Sequence, residues 1–241
     1  MWYTGPMTRD PTPPHIGILR EGSLHAALKA WLSEPGDLFE QKRGRYVIDI
    51  VRGDEFIEIQ TRNFPAIRRK LTALTSEQKV RLIYPVAEAR WILKLGPDGE
   101  TVIERRRSPA RGSPFNLFRE LVSFPALIQR PTFSIEVLLT HEEEVRVNDG
   151  TGSWRRKGWR IADTRLLEVT ARHRFDTVED FAALLPDHLE QPFTTKELAQ
   201  ALGERPDLIG KMSYCLREMG VLEVVGKRGN AYLMAEIRSS S

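Results

Sequence analysis

In the stretch "RYVIDIVRGDEFIEIQTR" (Arg45–Arg62), Asp49 and Glu58 are two acids nine residues apart on either side of a tight turn, a pair able to hold a cation or a proton. The stretch reads as two strands closed by a Gly53-Asp54 loop, which suits a type II′ turn, or type I′ with Asp second. Arg52 then pairs with Glu55, and Ile50 and Ile48 fall opposite Ile57 and Ile59 on one face. Burial of that face fixes the register, because a one-residue slip would expose every isoleucine. The other face receives Val51 with Phe56, Asp49 with Glu58, and Val47 with Gln60. Like charges directly across a strand pair, with Cβ atoms roughly 5 Å apart, destabilise it. Apolar neighbours shield them from water and raise that cost. A divalent cation between the two acids would remove it. Oxygen-only ligands suit Mg²⁺ or Mn²⁺ better than zinc, and such an ion can polarise a phosphate oxygen and acidify water. Without an ion, the face would be a solvated surface whose acids pair with Lys or Arg elsewhere.

The elements that must position this pair can be read on either side. "IGILREGSLHAALKAWL" (Ile16–Leu32) has Leu24, Ala27, Leu28 and Trp31 at helical spacing, and "EPGD" stops it. "LFEQKR" and the hairpin give three strands. "NFPAIRRKLTALT" (Asn63–Thr75) is a helix opening at Pro65, with Ile67, Leu71 and Leu74 on one face. "VRLIYPV" (Val80–Val86) is an apolar strand, and "ARWILKLGPDGETVIERRR" (Ala89–Arg107) a further hairpin turning at Pro97-Asp98-Gly99.

A helix carrying Glu21, three strands, a helix and a strand, with Asp49 on the second strand and Glu58-x-Gln60 on the third, resembles the PD-(D/E)XK nuclease superfamily. The resemblance covers about residues 16–86 and implies a restriction-endonuclease-like αβββαβ core that hydrolyses phosphodiester bonds with Mg²⁺ or Mn²⁺. It implies Asp49 and Glu58 as metal ligands, Glu21 as an accessory ligand or water-positioning group, and Gln60 as the residue orienting the nucleophile. Most members have lysine where Gln60 stands. An amide can only orient by hydrogen bonding, whereas an ammonium also neutralises charge; Lys29, Lys42 and Arg62 are close in sequence. His25, one turn after Glu21, is a candidate for metal binding or proton transfer, or else simply packs.

Past this core, "SPFNLFRELVSFPALI" (Ser113–Ile128) reads as helix and "TFSIEVLLTHEEEVRV" (Thr132–Val147) as strand, followed by a glycine- and arginine-rich loop. In "SWRRKGWR", Arg155, Arg156, Lys157 and Arg160 stand beside Trp154 and Trp159, a composition suited to tracking a nucleic-acid backbone or to an ordinary solvated loop. "ERRRSPARG" (Glu104–Gly112) is a second basic cluster. "TTKELAQALG" (Thr194–Gly203) has a capping box and a glycine stop. With "RPDLIGKMSYCLREMG" (Arg205–Gly220) and a hairpin tipped by Gly226–Asn230, it resembles a winged helix-turn-helix domain over about residues 177–237. That resemblance implies a recognition helix with Arg205, Lys211 and Ser213 exposed, and a wing whose Lys227 and Arg228 reach DNA.

The expected organisation is therefore an arm (1–15), a nuclease-like α/β core (16–112), a mixed α+β connecting segment with the basic loop (113–176) and a winged helix (177–238). A 241-residue chain with 41% hydrophobic and 29% charged residues is of ordinary globular composition. A net charge of +3 permits a nucleic-acid partner without requiring one. The single cysteine, Cys215, excludes an intramolecular disulfide and argues against cysteine-ligated zinc. No apolar run is long enough to span a bilayer, and the opening residues lack the order of a signal peptide, so the expected location is the cytoplasm. The expected function is metal-dependent DNA endonuclease activity in defence, restriction, repair or mobile-element processing. Self-association as a homodimer or in a larger nucleoprotein complex is left open, as is RNA as substrate. The alternative is a non-catalytic DNA-binding adaptor with a degenerate nuclease fold.

Overall fold

Leu24, Leu28 and Leu32 recur at four-residue spacing, and that stripe is what α1 (Ser23–Leu32) buries. Trp31, expected on the same face, is 43% exposed and instead lies under the Arg172 guanidinium, 5.4 Å from its ring centroid. The computed structural model of the chain describes residues 22–152 and 154–237, so Glu21 lies outside the described residues. After α1 come β1 (Leu38–Arg43), β2 (Tyr46–Arg52), β3 (Glu55–Ile59), α2 (Phe64–Leu74) and β4 (Lys79–Leu95). Then follow β5 (Val102–Arg107), α3 (Phe118–Leu121) between two 3₁₀ turns, β6 (Phe133–Val147) and β7 (Arg160–Phe175). Among the described residues these seven strands form one mixed sheet in the order β1-β2-β3-β4-β6-β7, with β5 on β4. β4 runs parallel to both β3 and β6, and the remaining pairs are antiparallel.

Three expectations change here. The strand Val80–Val86 and the hairpin arm from Ala89 are one 17-residue strand, β4, whose register against β6 shifts between Ala87 and Ala89. The bulge bends the chain without ending it, so Pro85 does not terminate the strand. Residues 133–147 and 160–175, read as part of a connecting segment, are β6 and β7, and β6 lies inside the sheet. Ser113–Ile128 is broken by Pro114 and Pro125, each opening a 3₁₀ turn around the four-residue α3.

The sheet has an apolar cluster on either side. Under α1, Leu24, Leu28 and Leu32 meet Ile50, Ile57, Ile59, Ile83 and Leu138. The larger cluster takes Leu71 and Leu74 of α2, Val51, Phe56, Leu82, Ile135 and Val137 of the strands, and Phe118 of α3. Phe64, at the start of α2, is fully buried, stacked on Phe124 at 5.3 Å and edge-on to Tyr84 at 5.0 Å. The cluster continues without a break into the C-terminal elements α4 (Val178–Ala182), α5 (Thr195–Leu202), α6 (Pro206–Glu218), β8 (Leu222–Arg228) and β9 (Ala231–Glu236).

Local signals account for those last elements. Thr194 accepts from the Glu197 N–H while the Glu197 carboxylate takes the Thr194 N–H at 2.7 Å, and Gly203 closes α5 at φ 65°. The β8–β9 turn falls at Gly229-Asn230, because Arg228 pairs with Ala231. Gly226 sits within β8 rather than at the tip. Among the described residues no helix is long and apolar enough to cross a membrane.

Candidate active site

The hairpin closes as its loop residues require. Arg52 pairs with Glu55, Val51 with Phe56 and Ile50 with Ile57, and Gly53 takes φ 56°. Asp54 is not among the positive-φ residues, which excludes type I′. Beyond Ile50 the ladder stops. The Ile59 N–H, which a continued ladder would give to β2's backbone, goes instead to Asp49 Oδ2 at 2.8 Å. The strands therefore fork, with the Asp49 side chain in the opening. On the opposite edge the β1 register holds, with Phe39 opposite Ile50 and Gln41 opposite Ile48, but Glu40 between them leaves the extended conformation at φ 52°. This break in alternation corrects one expectation. Ile50, Ile57 and Ile59 join the α1 cluster, but Ile48 packs into the other.

Asp49 and Glu58 do face the same opening. Asp49 Oδ2 also meets His25 Nε2 at 3.3 Å, which brings α1 to the site. Burial works to raise the Asp49 carboxyl. The His25 and Ile59 N–H contacts outweigh it and hold the group below the ordinary carboxylate value. Glu58 is 5% exposed, and its carboxyl is pushed up to about 7. Burial is the main cause; the nearby Lys70 ammonium opposes it, and the Asp49 charge adds a smaller upward push. Glu58 thus changes charge near neutrality while Asp49 stays ionised.

Lys70 is the functional candidate that sequence reasoning missed. It sits on α2 beside the buried Leu71 and reaches back over the fork to Glu58 Oε2 at 2.5 Å and the Val47 carbonyl at 2.6 Å. The signal was present as a cation preceding an apolar anchor on the helix after β3. Only the packing of α2 turns it toward Glu58. The α2 N-terminus is fixed from outside the helix: Asn63 adopts φ 61° and the Phe64 N–H donates to Glu120 Oε2 of α3 at 3.0 Å. Gln60, expected to orient a nucleophile, is used otherwise, since its amide donates to the carbonyls of Arg62 and Asn63.

Two observations test whether these residues fit a hard divalent ion. Glu58 Oε1 is buried and has no hydrogen-bond partner, an arrangement that is costly unless something cationic or protonated meets it. The donors at the fork are carboxylate oxygens, the ligand type such ions take. Among the described residues no group of three or more His, Cys, Asp or Glu side chains converges on one point, so Asp49 and Glu58 would supply two protein ligands. The pair fits an ion that keeps several waters.

A cleft of about 870 Å³ adjoins this site through His25; Arg62, Tyr84, Arg90, Arg111, Glu142 and Glu144 also line it, whereas Asp49, Glu58 and Lys70 do not. The remaining expected nucleic-acid contacts lie elsewhere. In the loop before β7, Arg160 is tied to Asp149 at 2.7 Å, Arg156 reaches the Trp159 carbonyl at 3.3 Å and Lys157 takes φ 52°. The Arg155 side chain lies outside the described residues. Trp159 lies under Lys94, 5.2 Å from the ring centroid, and Trp154 is 82% exposed.

On α6, Arg205 is exposed but paired with Asp207 at 3.0 Å, and Lys211 is half-buried. Ser213, expected to be exposed, is buried, because it falls on the stripe with Met212 and Leu216. Arg228 pairs with Glu197, and Lys227 stands 5.0 Å over the Tyr232 ring.

Fold and site together define an α/β protein with a buried glutamate and a half-buried aspartate at a strand fork. The family described as "Domain of unknown function (DUF8091)" matches residues 22–176, and the chain belongs to it. The matched span ends at Asp176, directly after β7, so α4–α6 and the β8–β9 hairpin lie beyond it. A relative from Treponema pallidum (strain Nichols), described as an uncharacterized protein, is 33% identical over 188 residues, covering 77% of this chain and 74% of its own length. No solved structure shows significant similarity to the chain.

Proposed function

We propose that the protein is a DNA phosphodiesterase using Mg²⁺ or Mn²⁺, built on a restriction-endonuclease-like core with a C-terminal winged helix. The observation that carries this reading is the buried, unpartnered Glu58 Oε1 at a fork that also presents Asp49. The order α1-β1-β2-β3-α2-β4 supports it, as does the helix–helix–hairpin order of α5, α6 and β8–β9. Asp49 and Glu58 would hold the ion, which when bound polarises a phosphate oxygen and acidifies water. Asp49 stays charged throughout. Glu58 must lose its proton to bind, so its binding strengthens as pH rises through about 7. Lys70 supplies from α2 the ammonium that the Glu58-x-Gln60 sequence lacks. It is placed to offset charge that builds on the phosphate, a contribution of about 10²–10³ in rate for one well-placed group.

Incubating plasmid and RNA with the purified protein plus Mg²⁺ or Mn²⁺ tests this. The wild type should nick or linearise DNA, while Asp49→Ala abolishes cutting and Lys70→Met slows it by about a hundredfold, both without loss of fold. Wild-type rates from Asp49→Ala, or no DNA cutting by the wild type with either ion, would retire hydrolysis. Calorimetry with Mn²⁺ then separates the adaptor, which would bind DNA and no metal.

A further inference from the structure

The cleft beside the fork has a charge pattern of its own. Each acid on its lining has a cation: Glu142 with Arg90 at 2.8 Å, Glu144 with Arg146 at 2.6 Å, and Asp163 with Arg165 at 3.9 Å. Glu142 and Glu144 are 2% and 6% exposed, so this floor is fixed and neutral. Arg62 and Arg111 also line the cleft, and neither has an ion-pair partner among the described residues. The uncompensated positive charge of the cleft therefore falls on these two exposed arginines.

Both are held by their backbones. The Gln60 amide grips the Arg62 carbonyl. Arg111 precedes Gly112, whose N–H donates to the Ala87 carbonyl at 2.9 Å. Gly112 lies so close to β4 that a Cβ there would come within 2.6 Å of that carbonyl oxygen and of Val86 Cγ1, so only glycine lets the loop lie down.

We infer that Arg62 and Arg111 form a phosphate clamp that seats a nucleic-acid strand in this cleft, next to the ion site proposed at Asp49 and Glu58. The identification of the polyanion rests on the proposed hydrolysis. His25 lines the cleft and touches Asp49, so a strand leaving the fork enters the cleft directly. The clamp also gives Gln60 a purpose: it positions Arg62 rather than a nucleophile.

The test is anisotropy with a short labelled DNA strand and its duplex, in chelator to prevent cutting, across a series of KCl concentrations. Each neutralised phosphate contributes about 0.7 to the log–log salt slope for a single strand and about 0.9 for duplex. Arg62→Ala and Arg111→Ala should each lower the slope by about that amount. Arg45→Ala, on the β1–β2 turn, should leave it unchanged. An unchanged slope in the double variant, or an equal drop in Arg45→Ala, overturns the clamp. Asp49-dependent cutting with unchanged slopes retires the clamp and keeps hydrolysis. Lowered slopes in the arginine variants, with a wild type that cannot cut, keep the clamp and retire hydrolysis.

Discussion

Replacing Glu58 with glutamine should make the ion-free protein's stability less sensitive to pH. A carboxyl whose folded value lies above its unfolded one favours folding below the unfolded value, and that contribution is lost as pH rises through the folded value. For Glu58 the window runs from 4.5 to about 7. At about 1.36 kcal/mol per pH unit the interval corresponds to roughly 3 kcal/mol. Glutamine also removes the partner of Lys70, a cost that is nearly constant across the window because an ammonium stays charged throughout it. The slope of the difference is therefore the informative quantity. Urea unfolding in chelator at several pH values should show the wild type losing roughly 3 kcal/mol relative to Glu58→Gln between pH 4.5 and 7.5. Adding Mn²⁺ at the upper end should recover that loss in the wild type and do nothing for the variant. A wild-type-minus-variant difference that is flat over the window would refute the burial argument for Glu58.

Gln60→Ala should raise KM for DNA several-fold while leaving kcat within about a factor of two, since the amide is spent on the Arg62 and Asn63 carbonyls; a matching collapse of kcat would return Gln60 to the chemistry. Thr194→Ala should cost about 1 kcal/mol in denaturant unfolding, because it removes the oxygen that accepts the Glu197 N–H at the start of α5.

Much of the local structure was legible because its causes are local. The Gly53-Asp54 loop and the isoleucine pattern fix the hairpin register within a few residues, and the structure reproduces Arg52 opposite Glu55. Thr194, Glu197 and Gly203 mark the ends of α5 through hydrogen bonds to their own neighbours. Pro65 opens α2 one residue after Phe64. What lies beyond local reach was misread. β4 reads as two strands because a proline and a bulge look like a break, yet β6 pairs along it from Val80 to Leu95 and carries it through. β6 was unplaced because nothing in residues 133–147 says which strand they will meet in a parallel pair.

Two-residue periodicity and turn chemistry are enough to put two acids on one hairpin face. What those acids meet is set by packing across the sheet. The fork opens because Asp49 takes an N–H from β3, and Lys70 closes over Glu58 because α2 packs across those strands. Arg62 and Arg111 come to one cleft because both their loops hydrogen-bond to β4, Gln60 N–H at Ile83 and Gly112 N–H at Ala87. Such encounters depend on strand order and helix packing, which join residues far apart in the chain and leave no periodic signature near any of them.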